Sequence, residues 1–327
     1  MSEDGADVMN MQTRFIGVDI GGTTTKIALV DQKGIISDFV SIKTIDDKNQ
    51  REKYLSSVYS EISKIVSESS SKVGGIGVSM LGLQMDDKSG TLFSANAPGF
   101  NKFNIRESLC DEFSLPVLVS NDLTAHALAE YCFGVGKEYN RFLSVAMGTG
   151  IGCTMITDGN PVILFGGTTG DCGRIILDPE SDIVCGGNVR GSAEGLCGTG
   201  GIEHLAKKYY GEDSTYSARD VISSARDNGD DISLRIMEEV GQYLGHLLAN
   251  LSVIFFPQVI ALTGGTVEAG QVLVDSCKRQ FDTMVGEFFD GLHKAVGVGQ
   301  IDIQKATMGK DAGIVGAVVP FLSENKS

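Results

Sequence analysis

Phe15–Asp31 reads FIGVDIGGTTTKIALVD, and Phe142–Asp158 reads FLSVAMGTGIGCTMITD. Both run an apolar strand into a Gly/Thr turn and out into a second strand. In each, the closing Asp (Asp31, Asp158) lies ten positions after the first turn glycine (Gly21, Gly148). A Gly-Gly-Thr or Gly-Thr-Gly turn between strands brings bare backbone N–H groups and hydroxyls up to an anion with no Cβ in the way. One such turn says little. Two in the same setting, well over a hundred residues apart, predict a duplicated domain that grips a polyphosphate from both sides.

Working outward, strands and helices interleave. A helix is expected near Arg51–Ser67, with Leu55, Val58, Ile62, Ile65 and Val66 on one face. Val73–Met80 reads as a buried strand, and Pro116–Ser120 as another that ends at Asn121-Asp122. Leu123–Cys132 is Ala-rich and helical. After the second hairpin comes an irregular Gly/Cys-rich segment, Gly166–Gly201, then helix from about Ile202. Leu234–Ser252 predicts a long helix that buries Ile236, Val240, Leu244, Leu247, Leu248 and Leu251. Pro257–Leu262 and Gln300–Ile303 read as short strands, and Gly313–Leu322 as a closing helix. The class is α/β, with two similar lobes and a cleft between them.

The 327 residues suffice for two cores, and 42% hydrophobic with 21% charged residues is a globular composition. The formal charge of −15, with no basic run, argues against nucleic acid or acidic lipid as a partner. Residues 1–14 are polar and acidic, read as a disordered tail, and lack the basic start and apolar core of a signal peptide. No apolar run approaches the roughly 18 residues of a membrane span. Seven scattered cysteines form no disulfide framework. A cytoplasmic enzyme with free thiols is expected.

Six segments occur in order along the chain: DIGGTTTK, SMLGLQMDDKSGTLFSANAPGF, VSNDLTAHALAE, MGTGIG, LTGG and KDAGIVGA. In that order they resemble the sugar kinases and regulators of the ROK family, within the actin–hexokinase–Hsp70 superfamily. The likeness runs from Phe15 to Leu322. It implies a two-lobed actin-like ATPase (ribonuclease H-like) fold, with mixed sheets, flanking helices and a central cleft. Residues 15–122 plus 311–327 would form the N-terminal lobe and 123–310 the C-terminal lobe. It also implies ATP and Mg²⁺ as cofactors, a small-molecule sugar as substrate, and a homodimer.

Residue by residue, Asp122 matches the family's general base, which accepts the proton of a sugar hydroxyl as that oxygen attacks the γ-phosphate. An Asp between a strand and a helix also fits a helix N-cap, and the two roles are compatible. Asp19 falls where the family places a carboxylate near Mg²⁺, and an acid beside a phosphate turn makes electrostatic sense only with a cation. Gly21, Gly22, Thr23 and Thr24, with Gly148, Thr149 and Gly150, match the two phosphate loops. Gly264 and Gly265 match the loop against adenosine, though any one glycine could simply be a turn. Lys26 fits phosphate steering and a solvated strand position equally. Gly82, Asn96, Asn121 and Asp122 fall on positions that bind sugar hydroxyls, and Asn96 alone would equally suit a turn.

The likeness breaks at the family's zinc and sugar signature, Gly-Glu-x-Gly-His followed by Cys-x-Cys-Gly-x-x-Gly-Cys-x-Glu. Here Gly170-Asp171-Cys172-Gly173-Arg174 replaces the first part, so Asp171 stands for the Glu and Arg174 for the His. The second part keeps Cys185 and Glu194, but Gly187 and Ser192 occupy the other cysteine positions. Structural zinc needs four ligands, so zinc is not expected, and the cysteines read as small buried apolar residues. Asp171, Arg174 and Glu194 remain candidate sugar contacts. Arg174 either pairs with Asp171 or Glu194 or meets a negative group on the substrate, and the cost of a lone buried charge favours the pair.

The leading expectation is a hexose kinase acting on the 6-hydroxyl of glucose or a close relative. The changed signature motivates a second, a kinase for an amino sugar, a sugar acid or a cyclitol. A third is a non-catalytic sugar sensor. The repressor version of that reading is disfavoured, since only about fourteen residues precede Phe15 and the charge is acidic.

Overall fold

A computed structural model describes residues 13–324. The expected tail, residues 1–14, lies outside the described residues except for Thr13 and Arg14. The contacts divide the chain into two compact units. One runs to Ala129 and resumes at Lys310; the other is Glu130–Gly309.

The first unit opens with β1 (Arg14–Ile20), β2 (Thr24–Val30) and β3 (Ile36–Lys43). Then come α1 (Arg51–Glu68), β4 (Val73–Met80), a small ribbon of β5 (Leu83–Gln84) and β6 (Thr91–Phe93), and α2 (Ile105–Phe113). β7 (Val117–Asn121) leads directly into α3 (Asp122–Phe133). The sheet order is β3-β2-β1-β4-β7. β1, β2 and β3 are antiparallel neighbours, whereas β1, β4 and β7 run parallel. β1 and β4 are buried along most of their length, as strands covered on both faces must be. α1 buries Tyr54, Val58, Ile62 and Ile65, a stripe at helical spacing. Val66, expected on that stripe, is 37% exposed, because it sits about 100° round the helix from Ile65.

The second unit repeats this plan. It has β8 (Arg141–Met147), β9 (Ile151–Thr157) and β10 (Asn160–Pro161), then α4 (Ala193–Cys197), α5 (Thr199–Tyr210) and α6 (Ala218–Ser223). α7 (Asp231–Phe255), β11 (Val259–Thr263), α8 (Gln271–Phe281), α9 (Glu287–Val296) and β12 (Asp302–Lys305) complete it. The order β10-β9-β8-β11-β12 is the first sheet's order again, with the same antiparallel and parallel pairs. α7 starts three residues before the expected Leu234, because the Asp230 side chain caps it by accepting from Ser233 N–H at 2.8 Å. All six apolar residues expected inside α7 are buried. Gly166–Gly201 is largely irregular, as expected, but α4 and the start of α5 lie within it.

The chain then returns to the first unit as α10 (Ala312–Glu324), which packs on β1 and β4. The approach is backbone to backbone. A Cβ on Gly17 would meet the Ile314 carbonyl, and one on Gly77 the Ala317 carbonyl. No helix among the described residues is long and apolar enough to cross a membrane.

Candidate active site

Because β1, β4 and β7 are parallel, their carboxyl ends bring the chemistry-bearing residues of the first unit to one edge, where ligands of open α/β sheets bind. The register sets Asp19 opposite Lys26 on β2 and opposite Ser79 on β4. Ser79 Oγ donates to Asp19 Oδ1 at 2.9 Å, and Lys26 Nζ lies 3.5 Å from Oδ2. Lys26 also donates to the Lys310 carbonyl at 2.7 Å. Lys26 thus meets the Asp19 carboxylate and the Lys310 carbonyl, with its side chain 26% exposed. Gly313, near the start of α10, packs so closely on Asp19 that a Cβ would collide with the carboxyl group.

Ser79 was not anticipated from sequence. Ser79→Ala should cost about 1.5–3 kcal/mol, the value of a hydrogen bond to a charged group, with Ser79→Thr recovering part of it. Urea unfolding reads this directly, and a loss below about 0.5 kcal/mol would show that Asp19 does not depend on the hydroxyl.

At the next strand end, Asn121 rather than Asp122 does most of the capping. Its Oδ1 accepts from Leu123 N–H at 3.0 Å, while its Nδ2 donates to the Gly82 carbonyl at 2.8 Å. Gly82 has φ +92°, a conformation that a side chain would strain. Asp122 Oδ1 also accepts from Leu123 N–H, at 3.0 Å. Burial pushes the Asp122 carboxyl above its usual value; His126 opposes the shift and the charge of Asp19 adds to it. Asp19 is a carboxylate of the kind that suits Mg²⁺, which takes one or two carboxylates together with water and phosphate oxygens. Among the described residues no group of three His, Cys, Asp or Glu could hold a metal alone.

The turn after β1 is closed by Gly21 N–H to the Thr24 carbonyl at 3.1 Å, and Gly22, Thr23 and Thr24 are exposed. The third threonine of the run, Thr25, is buried and bonded to Thr44 at 2.8 Å and Tyr54 at 2.6 Å. The turn after β8 is closed by Gly148 N–H to the Gly150 carbonyl at 2.9 Å, and Thr199 Oγ1 anchors the Gly148 carbonyl at 2.8 Å. A Cβ built on Gly22 or Gly148 meets nothing within 4 Å, so both turns front open space of the kind a phosphate fills. Parallel β8 and β11 set the next loop alongside: Gly264, at φ +96°, lies against the Met147 carbonyl and leads into Gly265. Thr149 helps line a cavity of about 450 Å³ with Cys185, Glu194 and His204.

Arg174 is paired within the protein. Its Nη1 lies 2.7 Å from Glu194 Oε1 and 2.6 Å from Cys185 Sγ, and its Nε 3.3 Å from Asp171 Oδ2. Glu194 Oε2 in turn accepts from Ile151 N–H at 3.3 Å. The remaining sulfurs look elsewhere: Cys197 Sγ bonds the Ala193 carbonyl at 3.1 Å, and Cys172 is buried beside Cys153. Asn96 is exposed on the loop after β6.

The ROK family pattern matches residues 15–323. A glucokinase of Halalkalibacterium halodurans is 29% identical over 92% of this chain and 93% of its own length. An N-acetylgalactosamine kinase of Shewanella is 26% identical over 79% of this chain and 84% of its own. The solved ROK family glucokinase from Streptomyces griseus, in complex with glucose and AMPPNP, superposes with a TM-score of 0.74 at 23% identity, covering 94% of this chain and 98% of that one. The fold is the actin-like ATPase fold.

Proposed function

Because the chain belongs to the ROK family, we propose that it is an ATP-dependent sugar kinase that phosphorylates the 6-hydroxyl of glucose or a close hexose. The observation that carries this reading is the pairing of a fixed, desolvated Asp122 with Asp19 at one sheet edge, in a chain that keeps both glycine turns. Asp122 takes the proton of the attacking sugar hydroxyl, and its raised proton affinity makes it a stronger base than a free aspartate. Asn121 fixes that base by bonding Leu123 N–H and the Gly82 carbonyl. Each unit, taken by itself, supplies a phosphate turn: the N–H groups of residues 21–24 in the first, and those of residues 148–150 beside Gly264 and Gly265, for the nucleotide, in the second. Asp19, with Ser79 and Lys26 on its two oxygens, would hold Mg²⁺. When bound, Mg²⁺ neutralises charge on the transferring phosphate.

Purified protein with Mg·ATP, assayed for ADP release against hexoses, amino sugars, sugar acids and cyclitols, tests this. Glucose should turn over, and the rate should fall by about 10²–10⁴-fold with Asp122→Asn. Turnover only on an amino sugar would favour the second reading, which the N-acetylgalactosamine kinase relative and the replaced signature at Asp171 and Arg174 support. Sugar binding without turnover anywhere on the panel would refute the kinase assignment in favour of a sensor.

A further inference from the structure

Arg174 sits at the centre of the irregular segment of the second unit, and its contacts reach further than an ion pair. One guanidinium meets the Glu194 carboxylate, the Cys185 sulfur and the Asp171 carboxylate. It also lies against Gly187, where a Cβ would come within 2.5 Å of the guanidinium carbon. Residues 185–189 turn tightly round it, with Asn188 N–H to the Cys185 carbonyl at 2.9 Å and Cys185 N–H to the Val189 carbonyl at 3.2 Å. Only a planar cation with several donors fits this place; an ammonium has the charge but not the fork.

The two carboxylate arms are unequal. The Asp171 side chain is 64% exposed, so its pair with Arg174 contributes little, whereas the Glu194 side chain is 15% exposed and its bond is short. Glu194 carries the effect onward. Its Oε2 accepts from Ile151 N–H, and it lies so near Gly150 that a Cβ there would come within 2.7 Å of that same oxygen. Gly150 and Ile151 close the turn that begins at Gly148.

We propose that Arg174 is a positioning residue for the nucleotide turn: through Glu194 it holds the 148–151 backbone in place, while through Cys185 and Gly187 it orders residues 183–192. Burial alone would raise the Cys185 thiol, but bonds from Ser192 and the Val189 and Gly187 backbone, with the charge of Arg174, bring it below its usual value. That direction agrees with a sulfur that accepts from a guanidinium. The consequence for nucleotide affinity rests on the kinase reading; the backbone consequence does not.

Hydrogen exchange on the full chain tests the proposal, with Mg·ADP binding measured by calorimetry in parallel. In Arg174→Met, amides of residues 148–151 and 183–192 should exchange about tenfold faster, with those of β1 and β4 unchanged. The Kd for Mg·ADP should rise by about tenfold, while Asp171→Asn stays within about twofold of the parent for both readouts. Arg174→Lys should recover part of the loss. Should Arg174→Met fold poorly, Glu194→Gln keeps the guanidinium and the side-chain volume, and must still loosen residues 148–151. Unchanged exchange at 148–151 in either variant, or an Asp171→Asn effect as large as that of Arg174→Met, overturns the proposal. A parent protein that binds no Mg·ADP would sink the kinase reading, while the exchange result still decides the role of Arg174.

Discussion

Asp122→Asn is expected to lower turnover by about 10²–10⁴-fold, the usual worth of a positioned base, while nucleotide affinity stays near the parent value. The substitution keeps shape and volume and removes only the ability to take a proton. The start of α3 should survive it, since Asn121 already caps Leu123 N–H. The same change has a stability signature of defined sign. Burial and the Asp19 charge raise the proton affinity of Asp122 in the folded state above that of the unfolded chain. Its contribution is therefore fully present below the unfolded value, about 3.9, and is lost as pH rises through the folded one. The Asn variant, neutral at every pH, should thus melt higher than the parent at pH 7, and the gap should close toward about pH 4. The acid limb of the parent's kcat/KM profile should lie above that of a free aspartate for the same reason. Full activity in the Asn variant would remove Asp122 from the mechanism. A lower melting temperature at pH 7 would show that its charge is compensated in the fold.

Gly77→Val should be among the most damaging single changes in the first unit, at about 3 kcal/mol or more. Gly77 lies within β4, which pairs with β1 on one side and β7 on the other, so the strand has no free edge toward which to shift. Its missing Cβ is replaced by the Ala317 carbonyl of α10. A side chain there must drive helix and sheet apart, with Gly17 and Ile314 in the same contact. Against a total stability of roughly 5–15 kcal/mol, such a loss takes much of the margin. Gly291→Ala is the natural control: it lies on exposed α9 with open space around it, and should stabilise by about 0.5–1 kcal/mol. Equal denaturation midpoints for Gly77→Val and the parent would refute this account of the α10 contact.

What the sequence showed and what it concealed divide along physical lines. The two Gly/Thr hairpins and the strands after them were legible because long apolar runs that stop at glycine have few other structures open to them. β3 was not, since it is a sheet-edge strand whose mixed burial leaves no clean alternation. Ser79 hid inside VGGIGVSM, where one hydroxyl in a buried strand looks like tolerated polarity until the register brings it to Asp19. An Asp at a strand-to-helix junction suits a cap as well as a base, so the sequence offers Asp122 for both. Only the bond to Gly82 reveals that Asn121 is locked in the capping place. Arg174 stands out in the sequence as a departure from the family pattern, and the cost of a lone buried charge favours an internal pair. That it would gather Asp171, Cys185 and Glu194 at once depends on loop geometry that no periodicity encodes.

The return of α10 to the first sheet also governs the order in which the chain can mature. Lys26 and the carbonyl it binds at Lys310 are 284 positions apart. A growing chain therefore displays β1 to β7 long before the helix that covers them exists. Residues 130–309 are synthesised whole in the meantime and have their own core, so the second unit can complete its fold before the first has its closing helix. Until α10 emerges, the glycine-lined backbone of β1 and β4 is an open docking strip. A ribosome stalled before residue 312 would hold out an incomplete sheet, prone to chaperone capture or to pairing with a neighbouring chain.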